Sequence, residues 1–364
     1  MAGPLPQKCC CRSGAPVSDV PWISGSISTS VGPIARVSTR LGLADHLGSW
    51  AMRWAMGRME YRIEPGLYAA GSPSSESPVL VSANYKMSFD RLRRAIDGLD
   101  AWILVLDTRG INVWCAAAKG TFGSDELIRR LESVRLPEIV SHRELIVPQL
   151  GAAGVAAHEV RKRSGFRVVY GPVRAGDIPR FLADGKKASP LMRSVQFGFW
   201  DRVVLAPIEF VLSAKWVILT ALCFFLLGGL GRDGYSLARL WTTGGAAAML
   251  LLGVYLGAVV LTAALLPWLP GRAFSLKGAW LGLAFLVSAA ALARGSPGLL
   301  DGPLGLAAWA LLIPAGTSFL AMNFTGATNF TSLSGVRREM RVAVPLQALA
   351  AVAGVALWLI ARFT

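Results

Sequence analysis

Apolar and polar positions divide the chain into two regimes. Between residues 78 and 170, short apolar runs alternate with stretches of helical spacing. Val79-Leu80-Val81-Ser82 and Trp102-Ile103-Leu104-Val105-Leu106 read as strands, the second apolar at every position and so buried on both faces. Ile139-Val140, Leu145-Ile146-Val147 and Phe166-Arg167-Val168-Val169-Tyr170 supply further strands. The helices between them are predicted over 88–96 with Ser88 as cap, over a short stretch after Asn112 that Gly120 ends, over 125–134 with Ser124 as cap, and over 155–162. Strands alternating with helices imply a largely parallel sheet covered on both faces, a Rossmann-like α/β arrangement.

From residue 210 the pattern changes. Five apolar stretches follow, near 210–230, 244–269, 278–293, 304–322 and 342–360, most close to the ~20 residues that cross a bilayer. At the other end, residues 1–45 are rich in Gly, Pro and Ser and read as a disordered tail. Residues 46–61 set Trp50, Trp54 and Met59 among Arg53 and Arg58, a short amphipathic helix suited to a membrane surface or to the next domain. The segment 65–73 is turn-rich. The expected organisation is an N-terminal extension over 1–60, an α/β domain over 61–200 and an all-α transmembrane domain of five helices over 201–364.

Composition agrees with lipid contact, since 53% of residues are hydrophobic, 16% are charged and mean hydropathy is +0.49. The net charge of +15 suits nucleic acid or an anionic membrane face, and the apolar stretches decide for the membrane and against nucleic acid. Residues 1–31 lack the apolar core of a signal peptide, which leaves the soluble part expected in the cytoplasm and the chain in the cytoplasmic (inner) membrane. Arg202, Arg272, Lys277, Arg337, Arg338 and Arg341 are assigned to the cytoplasmic side. Arg232, Asp233, Arg239, Arg294, Asp301 and Arg362 fall on the other. Ionisable residues inside the spans are scarce, Lys215 being the main one, which disfavours a transporter.

The chemistry centres on residues 101–126. If Asn112 caps, Cys115 is the third residue of the short helix, where unpaired backbone N–H groups favour an anion and hence a thiolate nucleophile or metal ligand. An inert buried thiol is the plain alternative. Against it stands the position just past a strand's carboxyl end, where open α/β sheets bind ligands. Ala116, Ala117 and Ala118 add no bulk, so a large flat partner can approach. The loops Asn84-Tyr85-Lys86, Ser141-His142-Arg143, Pro148-Gln149-Leu150-Gly151 and Gly171-Pro172-Val173-Arg174 complete the expected ligand edge. No GxGxxG, P-loop or HExxH occurs. His46, His142 and His158 also lack a D-x-H-x-x-G setting. Cys9, Cys10 and Cys11 form no disulfide framework with Cys115 and Cys223; a tail that binds a soft metal such as Hg(II) or an incidental cluster both fit them.

Asn112-Val113-Trp114-Cys115-Ala116-Ala117-Ala118-Lys119 resembles the cap-helix signature N-[VI]-W-C-A-[AG]-G-K of the mercury-methylating membrane corrinoid protein, the HgcA family, with Ala118 where that family has glycine. Residues 82–90, 148–151, 170–174 and 323–340 are also similar to segments of that family. The 170–174 element further resembles the corrinoid domain of the corrinoid iron–sulfur protein. The resemblance implies a corrinoid (cobalamin) whose cobalt is ligated by Cys115, and transfer of its methyl group to inorganic Hg(II), giving methylmercury. It implies that Asn112, Val113, Trp114, Ala116, Ala117, Ala118, Lys119 and Thr121 surround the ring, with Trp114 packing the helix onto the domain. Gln149, Leu150, Gly151, Gly171, Pro172 and Val173 would hold the nucleotide tail. It implies a ferredoxin-like iron–sulfur electron donor and a methyltetrahydrofolate-linked methyl donor as partners, since the chain has no cluster motif of its own. The alternatives are a corrinoid methyl carrier with another acceptor, such as a thiol or metalloid, and a non-enzymatic membrane-anchored sensor.

Overall fold

The computed structural model describes residues 20–58, 60–293, 300, 302–327 and 332–364. Cys9, Cys10 and Cys11, with Arg294 and Asp301, lie outside them. The chain divides into two compact units: residues up to Met52 together with Met56–Val195, and Arg53–Ala55 together with Gln196–Thr364.

Among the described residues of the first unit, seven strands form one mixed sheet in the order β1-β2-β3-β5-β4-β6-β7. They are β1 Ile23–Thr29, β2 Gly32–Val37, β3 Gly66–Ala70, β4 Val79–Ala83, β5 Ala101–Leu106, β6 Glu144–Val147 and β7 Arg167–Tyr170. β5, β4, β6 and β7 are mutually parallel, with Leu104 beside Val81, Leu80 beside Ile146 and Ile146 beside Val169. β3 runs antiparallel to β5, and the β1–β2 hairpin extends the sheet beyond β3.

Side chains alternate across the sheet, so successive residues of β4 and β5 enter opposite layers. Val79, Val81, Trp102 and Leu104 pack with Phe122, Leu127, Val160 and Phe166 beneath α3 (Val113–Lys119), α4 (Ser124–Ser133) and α5 (Ala157–Ser164). Leu80, Ile103 and Val105 pack with Phe89, Leu92 and Phe181 under α2 (Lys86–Ala95) and α6 (Ile178–Ala183). Each large side chain so buried contributes about 1.5–3 kcal/mol. All of β5 is buried, which is what its unbroken apolar run requires.

Several expectations need correction. The Ser/Gly-rich residues 23–37 are a hairpin rather than a disordered tail; as an outer pair it needs few apolar side chains, and Ile27, Ile34 and Val37 supply them. The turn-rich segment 65–73 contains β3. Ile139 and Val140 are buried but follow the 3₁₀ turn Leu136–Glu138 and belong to no strand, because two apolar residues carry no period. The loop 141–143 consequently precedes β6 and sits at the amino ends of the strands, where His142 Nε2 donates to Ser77 O at 2.9 Å. α2 begins before Ser88, because Tyr85 is held extended by its bridge to Arg62 and acts as N-cap. Ser124 is the first residue of α4 rather than its cap, and its Oγ accepts from Ala156 N.

The helix expected over 46–61 is present as α1 (Leu43–Arg53), and ion pairs tie it to this unit: Asp45 meets Lys86 at 2.5 Å and Arg93 at 2.7 Å, while Asp90 meets the same two cations at 2.7 and 2.9 Å. Burial alone would raise the Asp45 carboxyl, but hydrogen bonds from Lys86, Arg93 and the Gly42 N–H hold it at about 2, below its ordinary 3.8. A depressed folded-state value stabilises the fold above the unfolded value, and that contribution is lost as pH falls from 3.8 towards 2. The urea midpoint of the first unit is expected to drop steeply across that window. Asp45→Asn should start lower at neutral pH and lose less on acidification; an equally steep drop would place the acid sensitivity elsewhere.

Among the described residues of the second unit, five helical segments are long and apolar enough to cross a membrane: Phe199–Leu227, Leu237–Leu265, Phe274–Ala293, Gly302–Thr325 and Ser334–Ile360. Lys277 lies inside the third rather than before it. Its Nζ donates to the Leu266 and Leu269 carbonyls, while the buried Arg202 donates to those of Ala263 and Ala264, so both cations satisfy backbone acceptors at the end of the second segment.

Candidate functional site

The parallel strands appear in the order β5-β4-β6-β7, so the chain reverses its direction of winding between β4 and β6. In open α/β sheets the crevice beyond the carboxyl ends at such a reversal is where ligands bind. α3 follows β5, lies against β4 and meets the 3₁₀ turn Gln149–Gly151 that follows β6. It therefore lies over that crevice.

The approach to α3 is built on Asn84, at the end of β4. Its buried Oδ1 accepts from Thr108 N at 3.1 Å and from Gly110 N at 2.9 Å, and lies 2.8 Å from Thr108 Oγ1. Asp107 Oδ1 accepts from Arg109 N, and Asp107 N donates to Glu126 Oε1 at 2.8 Å. These bonds hold Arg109 and Gly110 in consecutive left-handed conformations, φ +56° and +73°, which aim the chain into the helix. Asn112 then caps it by accepting from Cys115 N at 2.9 Å, and Gly120, at φ +79°, ends it.

Seven residues make only two turns, so each has a definite side. Val113, Ala116 and Ala117 point into the core. Trp114, Cys115, Ala118 and Lys119 are exposed. Trp114 is 39% accessible and lies on the outer side, while Val113, Ala116 and Ala117 supply the buried contact with the domain. Cys115 and Ala118, three apart, share one face, leaving a thiol beside a low surface.

The loop after β6 closes on the end of α3. A Cβ at Gly154 would strike the Phe122 carbonyl and lie 3.1 Å from Ala117 Cα; one at Gly151 would enter the Phe122 ring. Thr121 N donates to Ala116 O at 3.0 Å, folding the chain back under the helix. Gln149 is half-buried and its Oε1 is fully enclosed without a hydrogen-bond partner, while Leu150 packs on the core. Gly171 N donates to Val147 O, and Tyr170 Oη donates to Val155 O at 2.6 Å. Pro172 is buried, and Val173 N donates to Met192 O at 2.8 Å. The structure thus gathers α3, residues 149–151 and residues 171–173 along one edge of the sheet. The sequence marks Asn84 only as a loop residue; an asparagine directly after a fully buried strand is the signal that points to its anchoring role.

Residues 55–182 match the family model described as CO dehydrogenase/acetyl-CoA synthase delta subunit. Over 127 residues the chain is 32% identical to the acetyl-CoA decarbonylase/synthase complex subunit gamma of Methanopyrus kandleri and 30% identical to that of Archaeoglobus fulgidus, matches that cover 34% of this chain and 27% of each relative. All of the family-model match but its first residue falls in the α/β unit. The chain spans about a quarter of the length of the curated relatives it matches, and its apolar helical segments lie outside the match.

Proposed function

We propose that the α/β unit binds a corrinoid against α3 with Cys115 as the cobalt's protein ligand, and that this membrane protein transfers a methyl group from that corrinoid to Hg(II). The carrying observation is the exposed Cys115 on a short, capped helix over the crevice at the sheet's reversal, within the stretch that is similar to acetyl-CoA decarbonylase/synthase subunits. The choice of Hg(II) as acceptor rests on the N-V-W-C-A signature and its resemblance to the mercury-methylating family.

The residues present fit such a group. Among the described residues no three His, Cys, Asp or Glu side chains gather around a metal, so a metal at Cys115 would have to bring its other ligands, as a corrin does. The enclosed Gln149 Oε1 lacks a donor, and the amides on a corrinoid's rim are donors. When bound, a corrinoid supplies a cobalt centre that accepts a methyl cation equivalent when reduced and releases methyl to an electrophile. Cys115 would donate electron density to the metal, and the Asn112 cap, bonded to the Cys115 backbone N–H, would fix the turn of helix that carries it. Ala118 would set how closely the ring approaches, and Gly151, Gly171 and Pro172 would line the path of the nucleotide tail. Lys119, exposed in the last turn of α3, would cap the helix's C-terminal end or meet a rim amide. A ferredoxin-like donor would supply the reducing electrons and a methyltetrahydrofolate-linked system the methyl group.

The test is the full chain in nanodiscs, loaded with methylcobalamin and offered Hg(II) or a small thiol, with the methylated product measured by mass spectrometry. Methylmercury is expected. Methylated thiol alone would change the acceptor, and failure to retain any corrinoid would leave the sensor reading.

A further inference from the structure

α1 is turned the opposite way from an ordinary surface helix. Its buried side carries Asp45, ion-paired to Lys86 and Arg93, and Met52. Gly48, on the same side, faces the Tyr61 ring so closely that a Cβ would collide with it. Leu43, Leu47 and Trp50 stand on the opposite side, 75%, 57% and 57% accessible. Their spacing of four and three residues makes one continuous stripe, which Met56, also exposed, follows in the chain. The helix is held by charges and presents its apolar face outward.

An apolar stripe fixed in this way marks a surface that something covers. We propose that the bilayer interface covers it, so that α1 lies on the membrane surface and tethers the α/β unit there. Three observations favour lipid. The chain has its own helices long and apolar enough to cross a membrane. Residues 53–55, directly after α1, belong with those helices, and the Trp54 ring stands edge-on to Phe210 of the first at 6.2 Å. The outward side carries leucines and a tryptophan flanked by exposed Arg40, His46 and Arg58, while the helix's one acid, Asp45, is on the buried side, which suits anionic headgroups. This inference is independent of the corrinoid reading.

The full chain is reconstituted in nanodiscs that contain an anionic phospholipid and a phospholipid with photoactivatable acyl chains, then photolysed and mapped by peptide mass spectrometry. Acyl adducts are expected at Leu43, Leu47 and Trp50 as well as in the apolar helices, which serve as the internal standard. Leu47→Glu with Trp50→Glu, placed away from the Asp45 ion pairs, should reduce the adducts over residues 43–50 by about tenfold and leave those in the helices unchanged. Adducts confined to the helices in the wild-type chain would overturn the proposal. So would labelling over 43–50 that disappears when discs hold two chains instead of one, which would assign the stripe to a second copy.

Discussion

Cys115→Ala is expected to leave the α/β unit folded and to abolish methyl transfer. The thiol is exposed, so its loss opens no cavity, and alanine is the better helix former; the change in stability should stay within about 0.5 kcal/mol. Its chemical effect should be far larger. Altering a group that only orients a metal ligand costs about 10–100-fold, and removing the ligand itself should exceed that. The measurement is the ultraviolet–visible spectrum of the full chain reconstituted with cobalamin, wild type beside variant. A corrinoid spectrum that shifts on substitution, with the denaturation midpoint unchanged, would establish thiolate ligation. An unchanged spectrum with full activity would return Cys115 to the role of a bystander at the edge of the sheet.

What could be read from the sequence was what local pattern determines. β5 is an unbroken apolar run, Asn112 and Gly120 bracket two turns of helix, and the later helical segments are simply long and apolar. None of these needs knowledge of a distant residue. The β1–β2 hairpin was illegible because its serines and glycines look like linker, and only the neighbouring β3 makes strands of them. β3 was hidden for a related reason, since Leu67-Tyr68-Ala69-Ala70 is flanked by Pro65 and Gly71 and gains its conformation from pairing with β5. The direction of Trp114 depends on which side of a two-turn helix meets the sheet, a tertiary choice in which Val113, Ala116 and Ala117 prevail. The inverted α1 likewise rests on Lys86 and Arg93, some forty residues further along. Long-range contacts thus set the features that local pattern missed, and the most consequential polar one lies under the cysteine helix.

That contact is Asn84, and Asn84→Ala is expected to uncouple the cysteine helix from the sheet. Alanine removes the acceptor shared by Thr108 N and Gly110 N and leaves both amides buried. Each unsatisfied group costs about 1–3 kcal/mol, so a loss of about 3 kcal/mol is expected from a fold whose total stability is of the order of 5–15 kcal/mol. The loss should also be local. Without the peg, the left-handed turn at Arg109 and Gly110 keeps the Asp107 Oδ1 bond to Arg109 N but loses its anchor to β4, and α3, only two turns long, cannot hold its position by helix propensity alone. Hydrogen exchange at the amides of Thr108, Gly110 and Cys115 should therefore accelerate well before the strands β4 and β5 open, and corrinoid affinity should fall with it. Asn84→Asp retains the acceptor but sets a second carboxylate against Asp107, and it should fall between the two. Uniform acceleration across the whole unit would show that Asn84 supports the core rather than the approach to Cys115. A local change with corrinoid binding intact would separate the loop from the ligand site, and Cys115 would then hold the metal without needing its helix fixed.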